Sequence, residues 1–324
     1  MSDNYSISSP PRVGITHGDI NGISYELILK AFSDSRILGM TTPILYGQSK
    51  ALSYYKKNFG MDDFTYSLTR DARQAWKQKF NIINIVEQEL KIEPGAVTAV
   101  SADMSALSMK KGTDDLKDGF IDALLLAPSC HEVDKTQQAL FQALFGASDV
   151  LRLLVSDRLR VALATDMMSP KEALASIDAA LVGKKLATLS AALKTDFGVT
   201  APKIAVLALD PSALADDVTA VAVAEARKKN LFAFGPFRAD ELFASGDWTK
   251  YDAVLALYFD QGVLPFRLLS TNGVAFYWAG LPAICAGPLQ GPEFAQANAN
   301  QASPDSLRQA LYLALDIIGQ RSQQ

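Results

Sequence analysis

Acidic residues follow several apolar runs of this 324-residue chain, and they are the first candidates for chemistry. Asp166 comes directly after the run RVALAT at 160–165, and Asp260 ends the run YDAVLALYFD at 251–260, with Gln261 next to it. An acid at the end of a buried strand can bind a polar substrate or a hard cation such as magnesium. The alternative is a loop carboxylate that only forms hydrogen bonds within the protein.

Histidine and cysteine are scarce, because the chain has only His17, His131, Cys130 and Cys285. A metal site made of three histidines from one chain is therefore impossible, and no CxxC or HExxH pattern occurs. The neighbours Cys130 and His131 could suggest a nucleophile and its base. However, adjacent residues of a strand point to opposite faces. His131 is kept as a candidate catalytic residue or substrate contact.

The elements that must position these residues are indicated by short, almost continuous apolar runs, each followed by turn residues. The runs lie at 12–16, 43–47, 80–86, 121–128, 160–165, 203–210, 251–260 and 273–280. Such runs are typical of parallel strands that helices cover on both faces. Helical patterns lie at 97–117, 171–196 (predicted as one long helix), 213–229 and 304–320. The alternation predicts an α/β fold.

The first strand is followed by the loop THGDINGISYE at 16–26. Gly18 and Gly22 permit a tight turn or a close backbone approach, and Ser24 can cap the next helix. The loop has neither the GxGxxG pattern of dinucleotide-binding proteins nor the Gly-Lys-Ser/Thr pattern of a phosphate-binding P-loop.

Composition excludes several classes of protein. The 31 basic and 35 acidic residues give a net charge of −4, which argues against nucleic acid as a partner. No apolar run approaches the ~20 residues of a membrane span, and the polar start MSDNYSISSP lacks the apolar core of a secretory signal. We expect a cytoplasmic protein of about two domains.

Taken together, the loops and strands resemble the 4-hydroxythreonine-4-phosphate dehydrogenase family of pyridoxal phosphate biosynthesis. The matching stretches are THGDINGISYE (16–26), LLAP (125–128), RVALAT (160–165), KIAVLALDP (203–211), FGPFRAD (234–240), YDAVLALYFDQGVLPF (251–266) and AGLP (279–282). They span nearly the whole chain in the family's order, and YDAVLALYFDQG is the most specific of them.

The resemblance implies two α/β/α domains with a central cleft, an architecture like that of isocitrate and isopropylmalate dehydrogenases. We place the first domain at 1–125 plus 286–324 and the second at 126–285. The resemblance also implies a homodimer in which each partner contributes to the other's site. The family's reaction is an oxidation by NAD, assisted by a divalent metal that polarises substrate oxygens, followed by loss of carbon dioxide.

The same resemblance assigns the family's three metal-binding histidines to Asp166, Ser212 and Phe259 of this chain. A phenyl ring cannot bind a metal and a neutral hydroxyl is a poor ligand, so only Asp166 is a credible one. The sequence therefore predicts that the metal site is degenerate. Gly287 and Gly291 are the candidate contacts for NAD.

Substrate contacts of the family are also altered in this chain. The resemblance assigns a family lysine to Arg267, an asparagine to Ala275 and an arginine to Cys285, and residues 132–146 lack the family's Gly-His-Thr-Glu segment. His131 is a partial match to a basic residue. The candidate catalytic residues are Asp260, Arg267 and His131, and the candidate pocket residues are Asp19, Asp166, Asp260, Gln261, Arg267, Ala275 and Cys285.

Three hypotheses about function follow from these matches and losses. The first is a homologue that lacks the usual activity and binds a small phosphorylated ligand or another protein. The second is an oxidoreductase or decarboxylase with a changed substrate, which uses Asp166 and Asp260. The third is an authentic 4-hydroxythreonine-4-phosphate dehydrogenase.

Overall fold

The structure is a computed structural model that describes residues 9–215, 217–270 and 273–324. In chain order, its strands are β1 Arg12–Thr16, β2 Thr42–Gly47, β3 Ser67–Leu68, β4 Asn81–Asn84, β5 Ala123–Leu125, β6 Leu151–Val155, β7 Arg160–Leu163, β8 Lys203–Leu207, β9 Phe232–Phe237, β10 Ala253–Ala256, β11 Ala275–Ala279 and β12 Cys285–Pro288. Its α-helices are α1 Ser24–Phe32, α2 Ser35–Met40, α3 Ser49–Asn58, α4 Ala99–Lys117, α5 His131–Phe145, α6 Pro170–Ser176, α7 Ala179–Thr195, α8 Val218–Lys228, α9 Ala239–Ala244, α10 Phe259–Leu269 and α11 Asp305–Ser322.

The chain divides into two compact units. The first comprises Met1–Asp134 and Cys285–Leu315, and the second comprises Lys135–Ile284 and Asp316–Gln324. The sequence had suggested 1–125 plus 286–324 and 126–285, so the divisions differ at 126–134, which belong to the first unit, and at 316–324, which belong to the second.

Arg321 explains why the last residues belong to the second unit. Its Nε lies 2.7 Å from the Asp196 carboxylate, and its Nη2 donates to the Tyr277 hydroxyl at 2.8 Å. Both partners are residues of the second unit. These contacts attach the end of α11 to that unit.

The sheet of the first unit is parallel throughout, in the order β3-β4-β2-β1-β5-β12. Val13 and Ile15 of β1 and Ile44 and Leu45 of β2 are fully buried. Burial of successive residues means that both faces of the sheet are covered, which is why these strands appear as continuous apolar runs. The predicted α/β fold is confirmed here.

The sheet of the second unit has the order β11-β6-β7-β10-β8-β9. Strands β7, β10, β8 and β9 are parallel, whereas β6 is antiparallel to both β11 and β7. The apolar runs did not include β3, β6, β9 or β12. Arg152 interrupts the apolar pattern of β6, and the Gly-Pro ending of β12 is typical of a turn.

Two local predictions were wrong. Residues 171–196 do not form one helix, because the chain becomes extended at Ile177 and the Asp178 carboxylate accepts from Leu181 N at 2.7 Å to cap α7. Ser24 does not cap α1. Its hydroxyl donates instead to the carbonyl of Pro128 at 2.7 Å.

Among the described residues, no helix has the length and apolar character needed to cross a membrane.

A buried ion pair links α7 to the start of β6. The Lys185 Nζ donates to Asp149 Oδ1 at 2.7 Å and to the carbonyl of Val150 at 2.8 Å. The Thr188 hydroxyl donates to the other carboxylate oxygen of Asp149 at 2.8 Å. Only 4% of the Lys185 side chain and 9% of the Asp149 side chain are exposed, so solvent screens the pair weakly.

We predict that Lys185→Met lowers the free energy of unfolding by about 3–5 kcal/mol, because it leaves the Asp149 charge buried without its cation. Urea denaturation measures this loss. Lys184→Met, at the exposed neighbouring position on the same helix, is the matched control and should change stability little. Equal effects of the two substitutions would contradict a structural role for the pair.

Candidate functional site

The loop after β1 in the first unit uses its glycines for close backbone approach. Gly18 has a φ of +63°, and a Cβ at this position would lie 2.3 Å from the carbonyl oxygen of Pro128. A Cβ on Gly22 would lie 2.4 Å from the carbonyl oxygen of Pro292, which accepts a hydrogen bond from Ile23 N at 3.0 Å. Only glycine fits these two positions. The loop after β1 can therefore pack directly against the segments that contain Pro128 and Pro292.

Asp19, a predicted pocket residue, is fully buried in that loop. Its carboxylate accepts from Asn21 N at 2.9 Å and from the Ser101 hydroxyl at 3.1 Å. Burial raises the pKa of Asp19, and these two hydrogen bonds oppose the rise. The carboxylate therefore has partners within the loop itself.

His17 is also fully buried, beside the ring of Tyr25. Its Nε2 lies 3.0 Å from the carbonyl of Met104, and burial lowers the pKa of His17 to about 4. The imidazole is therefore neutral near pH 7, where its contacts are structural.

His131 begins α5 and is exposed, whereas Cys130 next to it is buried. Burial raises the pKa of the Cys130 thiol, which disfavours the thiolate. The pair therefore lacks the environment of an activated cysteine.

Most of the residues near β12 that were predicted to contact substrate or NAD are buried. Cys285 is fully buried at the start of β12 and Gly287 lies within it, while Gly291 follows in open space. Residues 285–293 contain no lysine or arginine. This segment offers a pyrophosphate such as that of NAD only backbone N–H groups.

In the second unit, the parallel order β7-β10-β8 places the residues after these strands along one edge of the sheet. Asp166 follows β7, Ser212 follows β8, and Phe259 begins α10 after β10. The topology thus places these three positions along one sheet edge.

Asp166 forms a buried ion pair with Arg152 of β6. The Arg152 Nε lies 2.9 Å from Asp166 Oδ2, and about a twentieth of each side chain is exposed (6% and 5%). Burial raises the pKa of Asp166, and the Arg152 guanidinium opposes the rise. The next residue, Met167, has a φ of +51°, a strained backbone conformation for a residue with a side chain.

Two aromatic rings also hold the guanidinium of Arg152. Its Cζ lies 4.8 Å from the ring centroid of Phe276 and 4.9 Å from that of Trp278, both on β11. Cation–π contacts in a desolvated place of this kind stabilise the cation further.

Ser212 lies in a tight turn after β8. Its hydroxyl donates to Asp210 Oδ1 at 2.6 Å, and its backbone N donates to the same oxygen at 2.8 Å. The hydroxyl is therefore bonded to a carboxylate of its own turn, and Phe259 offers only carbon atoms.

Asp260 and Gln261 line one cavity of about 490 Å³ in the second unit. Gln261 fixes two strand ends, because its Oε1 accepts from Leu257 N at 2.8 Å and its Nε2 donates to the carbonyl of Ala208 at 2.9 Å. Asp260 is exposed beside it. The other lining residues are mostly apolar, among them Leu209, Pro211, Phe243, Leu264, Pro265 and Leu268.

The remaining predicted residues of the second unit lie on regular elements. Arg267 is an exposed residue of the last turns of α10, and Ala275 is fully buried at the start of β11. Neither residue lines the cavity of Asp260 and Gln261.

The side chains at the three positions assigned to metal ligands do not fit a divalent metal. Asp166 is already paired with a cation, Ser212 is a neutral hydroxyl and Phe259 has no donor atom. Across the described ranges, no group of three or more histidine, cysteine, aspartate or glutamate side chains is placed to hold a metal ion.

The sequence interpretation missed Arg152. A charged residue within the run LRLLV was the available signal, because an isolated charge in a buried strand needs a partner. Its partner Asp166 could not be identified from sequence, since the apolar runs do not show that β6 pairs with β7, the strand that Asp166 follows.

Comparisons with known proteins first define the class of fold. The structure is similar to isocitrate dehydrogenase from Methylococcus capsulatus, with a TM-score of 0.52 at 12% identity over 96% of this chain and 87% of that one. It is more similar to a putative 4-hydroxythreonine-4-phosphate dehydrogenase from Salmonella typhimurium, with a TM-score of 0.81 at 25% identity over 95% of this chain and 99% of that one. The fold is therefore that of the isocitrate-dehydrogenase-like α/β proteins.

The family follows from sequence. The model of the pyridoxal phosphate biosynthetic protein PdxA matches residues 39–314, and a 4-hydroxythreonine-4-phosphate dehydrogenase from Bacteroides thetaiotaomicron is 32% identical over 97% of this chain and 90% of its own length. The chain belongs to the PdxA family, which confirms the resemblance.

The buried carboxylate of Asp19 generates a prediction about pH. Since its pKa is higher in the folded than in the unfolded chain, the wild type loses stability as pH rises from the ordinary aspartate pKa through the folded value. Asp19→Asn removes this loss, so its stability relative to wild type should increase with pH and then level off.

Urea denaturation across the acidic to neutral range measures that difference. Asp103→Asn, at an exposed position of α4, controls for the removal of one carboxylate. A difference between Asp19→Asn and wild type that stays constant with pH would rule out the raised pKa.

Proposed function

We propose that this chain is a PdxA-family protein that has lost the family's metal-dependent oxidation. One observation carries the loss: Asp166, the single credible ligand at the three metal positions, is buried against the Arg152 guanidinium at 2.9 Å. A divalent cation at this carboxylate would face a fixed positive charge.

The chemistry of the family makes that loss decisive for activity. A metal in such a site polarises the substrate's oxygens and stabilises the negative charge that develops on decarboxylation. Arg152 cannot take over this function by coordination, because its guanidinium is enclosed by two rings and a carboxylate. In this position Arg152 serves as a structural counter-charge to the Asp166 carboxylate.

Two alternatives have specific support. The 32% identity to a named 4-hydroxythreonine-4-phosphate dehydrogenase favours the authentic family reaction more directly than it favours loss of activity. A changed oxidoreductase or decarboxylase is supported by Asp260, an exposed carboxylate at a cavity of about 490 Å³. The same assay separates the three.

The experiment measures NADH formation from NAD and 4-hydroxythreonine 4-phosphate with added zinc or magnesium, beside the Bacteroides thetaiotaomicron relative. We expect turnover at least about 10³-fold lower than that of the relative, the order of effect expected when a Lewis acid is lost. Turnover similar to that of the relative would establish the authentic reaction. Turnover of other phosphorylated hydroxy acids that Asp260→Asn abolishes would establish the changed enzyme.

We also propose that the chain forms a homodimer, as the family resemblance implies. Leu264 and Leu268 lie one helical turn apart on α10, with 59% and 82% of their surfaces exposed, beside the apolar cavity. Large apolar side chains exposed together are typical of protein interfaces. This surface supports α10 as part of the dimer contact.

We predict that Leu268→Glu weakens dimerisation at least about tenfold, because it places a charge in an apolar contact. Light scattering coupled to size-exclusion chromatography, over a dilution series, measures the change. Val221→Glu, at a position of α8 that is 56% exposed, is the matched control and should leave the dimer intact. A Leu268→Glu variant as dimeric as wild type would exclude this surface.

A further inference from the structure

A small cavity of about 290 Å³ lies in the first unit near the starts of β1 and β2. It is therefore at the opposite edge of the sheet from the loops that follow the strands. Besides Pro10 and Ala75, the cavity is lined by three cationic residues, two residues with hydroxyl groups and one carboxylate: Arg12, Arg73, Lys77, Ser9, Thr42 and Asp122.

The cations of this cavity are only partly neutralised. Within the described ranges, no ion pair joins Arg12 or Lys77 to an acidic side chain, and the Lys77 Nζ donates only to the Ser9 hydroxyl, at 3.1 Å. Arg73 pairs with Asp71, so the three cations set against Asp71 and Asp122 leave one net positive charge around the lining. An anion is therefore the ligand that this cavity favours.

Arg73 is held in place before any ligand binds. Its Nε and Nη2 donate to the Asp71 carboxylate at 3.0 and 2.5 Å, and its Cζ lies 4.5 Å from the ring centroid of Phe120. These contacts leave Nη1 outside the bonds to Asp71. A fixed guanidinium loses little conformational entropy when it binds an oxyanion.

Asp122 restricts which anion the cavity can accept. Its Oδ2 accepts from Arg12 N at 2.7 Å, and the carboxylate is exposed at the cavity. A carboxylate repels an anion that has no proton, but it accepts a hydrogen bond from an anion with a hydroxyl group. Near neutral pH inorganic phosphate keeps such a hydroxyl, whereas sulfate has none.

The geometry points to a phosphate-binding site formed by Arg12, Arg73 and Lys77, in which Asp122 selects hydrogen phosphate over sulfate. A phosphate monoester that has lost its last proton meets the same repulsion as sulfate. The site is separate from the strand-end loops, so it does not depend on the function proposed above.

Isothermal titration of the full chain with inorganic phosphate, sulfate and glycerol 3-phosphate at constant ionic strength tests this site. We expect phosphate to bind more tightly than the other two. Lys77→Ala and Arg12→Gln should each weaken phosphate binding about tenfold or more, the effect of losing one charged hydrogen bond. Asp122→Asn should raise the affinity for sulfate relative to phosphate.

Lys91→Ala is the matched control, because Lys91 is 80% exposed and pairs with Glu93 away from the cavity lining. Circular dichroism verifies that each variant is folded. No heat of binding with phosphate, equal affinities for phosphate and sulfate in the wild type, or unchanged phosphate affinity in Lys77→Ala would each overturn the site.

Discussion

A buried charge must have a partner, and in the second unit this constraint fixes Arg152. Its guanidinium lies against Asp166, which follows β7, and between the rings of Phe276 and Trp278 on β11. Arg152 itself is on β6, paired with Trp278 on one side and with Leu163 on the other. One side chain thus links three neighbouring strands, and removing either charge would leave the other buried and unpaired.

This arrangement determines what the adjacent sheet edge can do. The ends of strands β7, β10 and β8 are followed by Asp166, Phe259 and Ser212, respectively, at the edge of the sheet where α/β proteins bind ligands. The fold of the PdxA family is therefore kept, while the side chains at the assigned metal positions are a paired carboxylate, a hydroxyl already bonded to Asp210 and a phenyl ring. Family membership and family chemistry are separate questions for this chain.

Much of the fold could be predicted from sequence, because parallel strands buried on both faces leave continuous apolar runs such as RVGIT and YDAVLALYFD. The single-helix prediction for 171–196 failed because the Asp178 cap divides a segment whose composition is helical throughout. Strand β6 was missed because Arg152 breaks its pattern. The sequence could predict which residues lie at the site, but it could not predict their contacts. The ion pair of Asp166 with Arg152, for example, depends on antiparallel pairing between β6 and β7.

The first unit shows the same dependence on contacts that are distant in sequence. Asp19 was a candidate pocket residue because it lies in the loop after the first strand that resembles the family's loop, but its carboxylate already accepts from Ser101 and from the backbone of Asn21. The basic cavity near the start of β1 combines residues from 9 to 122, which no local motif connects. Sequence spacing identifies strand ends well, whereas it does not show which polar groups already have partners.

We propose that the Arg152 guanidinium, and not a divalent metal, neutralises Asp166. Elemental analysis of the purified chain after equilibrium dialysis against zinc or magnesium measures bound metal, with the Bacteroides thetaiotaomicron relative treated in parallel. We predict a metal-to-chain ratio near zero for this chain. A ratio near one that Asp166→Asn abolishes would contradict it.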